Sequence, residues 1–466
     1  MAIRINKVLT LLTFFSVTVQ ASPMDWKGSL TLDSHIIKDV RRTGDTCTAG
    51  SGSQCITPEN NNARFQTMIL KLQPNLVIND GVTIKGELST GSGRTSALGS
   101  SSDSNATEGN GSYYTQSSSS SMLVNQIYAE IYADTALYKI GRFAKNWGLG
   151  AMVNSGESAS DRFYSGYEGF EAHFQLGGFQ LTPMWAKLHS SATQPNGDYD
   201  AYEYSVAALY DNTNRNLKLG IYYSIKEVET KSTLYGTDKG PHNVTLIDVY
   251  LSKVWGDFNF QLEVPMLSGE VGTLYTTEKA DFSSNAYIIE TGYQANSKWK
   301  VGLNGGIVSG DDASSSSFEG MYLNPNYKHS YLLFKYNYEG FMSSSKDVFS
   351  SSIVNTTYAQ LYAHYNLDEW TWKFAALWAK ANEVAKSGDS FYSHEDMATY
   401  TATADQSDDL GTELSIAFDY RWNPNVTFSS YLAYHMVGNY YAFTNASEEL
   451  STSNVMATGL QLSVEF

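Results

Sequence analysis

A set of charged residues stands out because they fall on the polar side of segments in which polar and apolar residues alternate. Charges of both signs on one surface create a field that attracts, repels or orients charged solutes. Taken singly, each is explained more simply as a solvated polar residue. The candidates are the carboxylates Glu87, Glu130, Glu171, Glu203, Asp248, Glu263, Glu290, Glu413 and Asp419, and the cations Lys85, Arg142, Lys218, Lys226, Lys300, Lys373 and Arg421.

Residues suited to nucleophilic or metal-assisted catalysis show no comparable pattern. The 8 His are scattered, and the chain has neither a G-x-S-x-G nor an H-E-x-x-H motif. His394, Glu395 and Asp396 are consecutive, but neighbours in an extended chain point to opposite sides. The pairs at 311–312 and 408–409 lack the ligand spacing of a calcium-binding loop. The sequence therefore predicts no enzyme, no cofactor and no metal site.

The 2 cysteines, Cys47 and Cys55, are separated by a stretch rich in Gly and Ser. In an exported protein such a pair is expected to form a disulfide that closes a surface loop. A metal-binding pair is the weaker alternative, because no His or further Cys lies nearby to complete a tetrahedral site.

Composition narrows the class of protein. The net charge of −17 argues against a nucleic-acid binder, which needs clustered Lys and Arg. Charged residues make up only 17% and aromatic residues 14%, with 33 Tyr, which favours a β-rich chain. The mean hydropathy of −0.31 and the lack of long apolar runs exclude a bundle of membrane helices.

Residues 1–21 have the features of a cleaved secretory signal peptide. Arg4 and Lys7 precede a mostly apolar stretch at 8–19, and Val19 and Ala21 occupy the small-residue positions before the cleavage point. The apolar stretch is too short for a membrane anchor, which needs about 18 residues. Residues 22–466 are expected to form the mature protein as a single domain.

Alternation with period two dominates the chain after residue 25. In the segment 216–228, Leu219, Ile221 and Tyr223 fall on one face while Lys218 and Tyr222 fall on the other. Such segments match the roughly 9–11 residues that a tilted strand needs to cross a bilayer. A soluble β-sandwich also alternates, but its strands are shorter and its connections are similar at both ends.

Short and long connections alternate here, which is typical of an outer-membrane barrel with short periplasmic turns and long extracellular loops. Both ends of such a barrel lie in the periplasm, so the strand count must be even. The alternating stretch 331–338 would make an odd count, so we assign 310–355 to one long loop, either extracellular or folded into the lumen. The sequence predicts an all-β, antiparallel, up-and-down transmembrane barrel of eighteen strands, with sixteen as the alternative. The expected strands are 27–38, 63–73, 82–90, 122–133, 136–145, 166–176, 179–188, 200–211, 216–228, 242–254, 258–268, 285–296, 299–309, 356–367, 370–381, 410–421, 425–437 and 454–466.

The final segment alternates up to the last residue, Phe466. A last strand that ends in Phe resembles the assembly signal of Gram-negative outer-membrane barrels. The segments GRFAKNWGLG (141–150) and SGDDASSSSFEGMYLNPNY (309–327) are also similar to motifs in broad porin families. The chain thus resembles the porin-type outer-membrane proteins. The resemblance implies a location in the Gram-negative outer membrane, with barrel assembly machinery, membrane lipid and lipopolysaccharide as partners.

For a barrel of this size, the expected function is passive diffusion of small hydrophilic solutes and ions through a water-filled lumen. The charged residues named first would line it, and the acidic excess favours a mild cation preference. The alternative is a closed or plugged barrel that acts as a substrate-specific channel, for instance for saccharides, or as a surface structural or adhesion protein. Inward Tyr128, Tyr132, Tyr358 and Tyr362 would form the saccharide track. The sequence leaves the oligomeric state open, with a homotrimer as one candidate.

Overall fold

The computed structural model describes most of the chain. The described residues are 24–40, 42, 62–90, 96–97, 122–189, 201–228, 242–272, 280–341, 347–445 and 450–466. The predicted signal peptide and the cysteines Cys47 and Cys55 lie outside these ranges, so cleavage and the disulfide stay predictions.

Eighteen long antiparallel strands form one closed barrel in the described residues. In chain order they are Met24–Lys38 (β1), Asn62–Asn79 (β2), Val82–Thr90 (β3), Met122–Tyr132 (β4), Ala136–Ala144 (β5), Gly166–Leu176 (β6), Phe179–His189 (β7), Ala201–Asn212 (β8), Leu217–Val228 (β9), His242–Trp255 (β10), Phe258–Gly272 (β11), Ala280–Gln294 (β12), Trp299–Val308 (β13), Thr356–Leu367 (β14), Trp370–Ala381 (β15), Asp409–Asn423 (β16), Val426–Val437 (β17) and Val455–Glu465 (β18). The predicted fold class and strand count are confirmed.

The barrel closes because its first strand pairs with both the second and the last. Leu32 of β1 lies opposite Met68 of β2 and Leu462 of β18. Each intervening strand pairs with its sequence neighbours, so the ring leaves no free edge. A closed ring satisfies every ladder hydrogen bond within the sheet, which is what a β-structure in lipid requires.

The exposed face of the wall is the apolar one. On β9, Leu219, Ile221 and Tyr223 are 49%, 45% and 39% exposed, whereas Tyr222 on the other face is fully buried. A soluble sandwich buries its apolar face, so this inverted pattern excludes that fold. Side chains with the parity of Tyr222 point into the lumen.

Short turns at the periplasmic end are flanked by exposed aromatic residues. Trp255 is 56% exposed beside the turn at 256–257, Phe179 is 60% exposed after the turn at 177–178, and Trp422 is 64% exposed near Asn423. Amphipathic rings favour the boundary between lipid and water, so they mark one edge of the membrane-facing band. Gly177 and Gly256 have φ values of 62° and 57°, a left-handed conformation that two-residue hairpin turns require.

The stretch 331–338 contributes no barrel strand, as the requirement for an even number of strands predicts. It forms turns that run into a short 3₁₀ helix at Tyr338–Phe341. Short strands of two or four residues occur at Ser96–Ala97, Ser317–Phe318, Ser390–Ser393 and Ala398–Thr401. In the described part of the chain, helices of the length and apolarity needed to span a membrane are absent.

Candidate functional site

Two extracellular connections bend inward and contact the inward face of the wall. The first inner segment comprises residues 145–165, and the second inner segment comprises the described residues 309–341 and 347–355. From the first, the Arg162 guanidinium lies 2.7 Å from the Asp33 carboxylate of β1. Lys71 of β2 donates to the backbone oxygen of Gly156 at 3.1 Å. The first inner segment is therefore held against β1 and β2.

Glycines allow the first inner segment to pass close to the wall. Gly148 has a φ of 57°, and the Leu149 N–H donates to the Glu263 carboxylate of β11. A Cβ at residue 148 would collide with that carboxylate, so only glycine fits. Trp147 anchors the same turn, since it is 6% exposed and its ring lies 5.8 Å from that of Tyr222.

The second inner segment is anchored by a single carboxylate of β16. Glu413, which is 2% exposed, accepts the backbone N–H groups of Tyr331 at 2.7 Å, Leu332 at 3.0 Å and Leu333 at 2.8 Å. Nearby, the Tyr336 hydroxyl lies 2.7 Å from that of Tyr431. One carboxyl group thus holds three consecutive backbone N–H groups of the second inner segment against the wall.

The two inner segments also bind each other. The Asn326 side chain donates to the Phe163 oxygen at 2.6 Å and accepts the Phe163 N–H at 3.2 Å. The Asn324 N–H donates to the Ala151 oxygen at 2.7 Å. Together the segments bridge the lumen from β1 and β2 across to β11 and β16, which narrows the space available to a solute.

A cavity of about 260 Å³ remains between the inner segments and the wall. Its charged lining residues are Asp33, Asp161, Arg162, Lys328 and Lys335. A second cavity of about 140 Å³ shares Asp33 and Lys335 with the first and adds Lys373 and Asp419. We call the two together the inner cavity.

The charged lining of the inner cavity holds four cations against three carboxylates, and the Arg162–Asp33 and Lys373–Asp419 pairs leave Lys328 and Lys335 as the excess positive charge. Lys328 donates to the backbone oxygens of Lys335 at 2.9 Å and Phe349 at 3.1 Å. Burial, with repulsion from Lys335 and Arg162, lowers the pKa of Lys328 to about 7. Burial also lowers the pKa of Lys335 to about 8, against the opposing effect of Asp33. The inner cavity therefore offers positive charge that changes near neutral pH.

Half of the charged residues that the sequence singles out lie on the inward face in close ion pairs. Lys85 lies 2.8 Å from Glu130, Lys218 lies 3.0 Å from Asp211, Lys226 lies 3.5 Å from Glu203, and Lys373 lies 2.5 Å from Asp419. Glu171 lies 2.7 Å from Lys145, and Glu290 accepts the Tyr327 hydroxyl at 2.9 Å. Such pairing leaves little net charge along these parts of the wall.

The remaining inward candidates are dispersed around the barrel. Asp248 and Glu263 are fully buried on adjacent strands, and Glu87 accepts hydrogen bonds from wall amides such as Asn125 at 3.0 Å. Lys300 and Arg421 share the inward parity of their strands but lie towards the periplasmic end, away from the inner cavity. The candidates thus occupy several sites rather than one ring, and their role in the pore stays a prediction.

The prediction that Arg142 lines the lumen is wrong, because the structure places this residue on the outer surface. It has the parity of Ile140, which is 46% exposed, while Phe143 beside it is fully buried and points inward. The Arg142 guanidinium pairs with the Glu168 carboxylate at 2.5 Å. Near the extracellular end of β5 an outward charge can reach the lipid–water boundary, so polarity alone does not identify the inward face there.

The cations of the inner cavity are the functional residues that sequence reasoning missed. Arg162 and Lys328 lie in connections without alternation, and Lys335 lies in the alternating stretch 331–338 that the even strand count assigned to a loop, so the pattern did not mark any of them as lumen residues. Asp33 and Lys71 do lie on alternating strands, and the parity of β1 and β2 could have placed both inward.

Replacing Glu413 with Ala is expected to loosen the second inner segment. Leaving a buried N–H without an acceptor costs about 1–3 kcal/mol, and three such groups converge here. Amide hydrogen exchange at residues 331–333 should therefore accelerate strongly. Glu87→Ala is the matched control, because the Glu87 carboxylate accepts from the side chains of Gln73, Asn125 and Gln126 on the wall. Equal exchange in both variants would refute the anchoring role.

The closed ring, its apolar outer band and its aromatic boundary define a Gram-negative outer-membrane β-barrel with the porin-type fold. The terminal Phe466, 55% exposed, lies at the periplasmic end, where its backbone N–H donates to Gly28 at 3.0 Å.

No protein family model matches the chain, and no curated protein matches it in sequence. Solved structures from Pseudomonas aeruginosa are similar to it throughout. OccK2 (OpdF) superposes with a TM-score of 0.52 at 11% identity, covering 95% of this chain and 98% of that chain. OccK8 (OprE) has a TM-score of 0.50 at 13% identity, with the same coverage. The outer membrane protein opdK has a TM-score of 0.50 at 12% identity, covering 95% and 99%. OccK2 is also known in complex with glucuronate, at a TM-score of 0.50, 11% identity and coverage of 95% and 98%. These likenesses establish the fold.

Proposed function

We propose that this protein is a channel through which small hydrophilic solutes cross the outer membrane by passive diffusion, with a preference for anionic solutes. The observation that carries the proposal is the inner cavity, where Arg162, Lys328 and Lys335 converge between the two inner segments. A narrow site with an excess of one sign of charge between low-dielectric walls raises the local concentration of solutes of opposite charge.

This preference replaces the cation preference expected from net charge. The acidic residues of the wall are largely compensated: Glu130, Glu171 and Asp419 face cations, and Glu413 accepts three backbone N–H groups. Selectivity follows the charges at the narrowest place rather than the sum over the chain.

A catalytic role is not part of the proposal. The loop histidine beside two acidic residues, His394, has both ring nitrogens engaged, since Nε2 accepts the Asp311 N–H at 3.1 Å and Nδ1 lies 3.1 Å from the Tyr322 hydroxyl. A saccharide track on the wall tyrosines is also disfavoured. Tyr358 is 2% exposed, and Phe334 of the second inner segment packs on it with ring centroids 5.9 Å apart.

Uptake into proteoliposomes tests the proposal with a matched pair of solutes. Glucuronate and glucose have similar size but differ by one carboxylate, and OccK2 binds the former according to its structure. Reconstituted protein should admit glucuronate faster than glucose, and empty liposomes should admit neither. Equal rates would overturn the anion preference, and no uptake of either would overturn the channel.

The anion preference should weaken as pH rises. A lysine carries its charge below its pKa, so with pKa values of about 7 and about 8, Lys328 and Lys335 are mostly charged at pH 6 and mostly neutral at pH 9. Reversal potentials in a KCl gradient should therefore shift towards cation preference between pH 6 and pH 9. A constant reversal potential over that interval would exclude these lysines as selectivity residues.

A further inference from the structure

A larger cavity of about 520 Å³ lies at the extracellular end, separate from the inner cavity. Its walls come from the loops that follow β1, β13, β15 and β17, with residues 311–312, 383–385, 391–393, 395–396, 440–441 and 443 among them. We call it the outer chamber. Its volume lies within the range of about 300–1,000 Å³ that is typical of small-molecule sites.

The outer chamber is strongly acidic. Its carboxylates are Asp311, Asp312, Glu383, Glu395 and Asp396, and in the described lining they face one cation, Arg42. Burial, with repulsion from Asp312, raises the pKa of Glu383, and the same two causes raise the pKa of Asp311. Negative charges are thus crowded together with incomplete compensation, which favours the approach of a further cation.

The chamber already accommodates a cation from the chain itself. The guanidinium of Arg42 lies 3.7 Å from the ring centroid of Tyr441 and 4.3 Å from that of Tyr338. The Glu395 carboxylate lies 3.8 Å from the same guanidinium. Proteins bind organic cations with aromatic rings and carboxylates in this kind of arrangement.

A buried hydroxyl in the lining adds a second, independent indication. Tyr338 lines the chamber and is 4% exposed, and its hydroxyl has no hydrogen-bond partner among the described residues. A buried polar group without a partner is costly, so it points to a ligand or water that completes it. Phe391, Tyr400 and Phe443 supply further aromatic surface in the same chamber.

We propose that the outer chamber binds a small organic cation with a planar amidinium or guanidinium group, held between its aromatic rings and its carboxylates. The site depends on loop residues that do not line the inner cavity. Binding here can therefore fail while the channel proposal stands, and the reverse also holds.

Calorimetric titration of the purified, folded barrel in detergent tests this with benzamidine and benzamide. The two molecules have nearly the same shape, but only benzamidine is charged. Benzamidine should bind at least about tenfold more tightly, in line with a desolvated cation–π contact plus carboxylates. Equal binding, or no binding of benzamidine, would overturn the proposal without any variant being needed.

The double variant Asp312→Asn with Glu383→Gln should weaken benzamidine binding about tenfold, because it removes two negative charges with little change in shape. Asp211→Asn is the control, since Asp211 pairs with Lys218 at the periplasmic end and lies outside the chamber. Heat-modifiable gel mobility verifies that each variant is a folded barrel. Unchanged affinity in a folded double variant would contradict the assignment.

Discussion

Replacing residues 324–352 with a short Gly-Ser linker is expected to raise single-channel conductance several-fold. The described residues in this range lie across the lumen, and residues 331–333 bind β16 through Glu413. The Leu323 N–H donates to the Ile353 oxygen at 3.0 Å, so the cut ends are already adjacent. A short linker can therefore close the gap without moving β13 or β14. An eighteen-stranded barrel without that segment leaves a wider aqueous path.

The control for this excision is a shorter cut in the loop after β15, which leaves residues 324–352 and their hydrogen bonds to Glu413 in place. The Gly388 N–H donates to the Ala402 oxygen at 2.9 Å, so the hairpin at 389–401 can be replaced by a similar linker. That variant should conduct like the parent protein. If the excision at 324–352 leaves conductance unchanged in a folded barrel, the second inner segment does not restrict the pore. The plugged-barrel alternative predicts that the parent is silent and that only the excised form conducts.

Lys335→Met is expected to lower glucuronate uptake about tenfold while glucose uptake stays nearly constant. The variant keeps the aliphatic stem of Lys335, whose ammonium lies 4.4 Å from the Tyr431 ring centroid, but removes a positive charge shared by both parts of the inner cavity. Proteoliposome uptake of the two solutes measures the effect. The variant should also reduce the pH dependence of the reversal potential.

Lys253→Met provides the matched control for that substitution. Lys253 lies near the periplasmic end of β10 on the outward face, where its ammonium donates to the Arg215 backbone oxygen. The change in net charge is the same, but the inner cavity is untouched. Glucuronate uptake that falls equally in both variants would mean that overall charge, rather than the inner cavity, sets the preference.

The strands could be predicted from the sequence because the side of each strand that contacts lipid must be apolar. In β9, the outward positions that contact lipid must be apolar, so Leu219 and Ile221 show which residues of the strand face outward. The requirement for an even number of strands then excluded a strand at 331–338, and the structure confirms that exclusion. Strand ends were less certain: β2 extends to Asn79 and β11 to Gly272, because pairing continues beyond the lipid-facing band.

Only part of the candidate site could be predicted from the sequence, for a physical reason. Inner segments have no lipid face, so no periodicity marks Arg162 or Lys328, and the alternation around Lys335 does not reveal which way its side chain points. Alternation placed Glu413 and Glu263 inward, yet it could not reveal that they accept backbone N–H groups from loops distant in sequence. Arg142 shows the converse error, because its polarity suggested the lumen while Phe143 actually points there.

Planar-bilayer recording of the wild-type protein tests the central claim most directly. Insertion of the folded barrel should produce stepwise increases in current, with a reversal potential in a KCl gradient that indicates anion preference at pH 6. Silent membranes, despite insertion verified by heat-modifiable gel mobility and protease protection, would contradict the account.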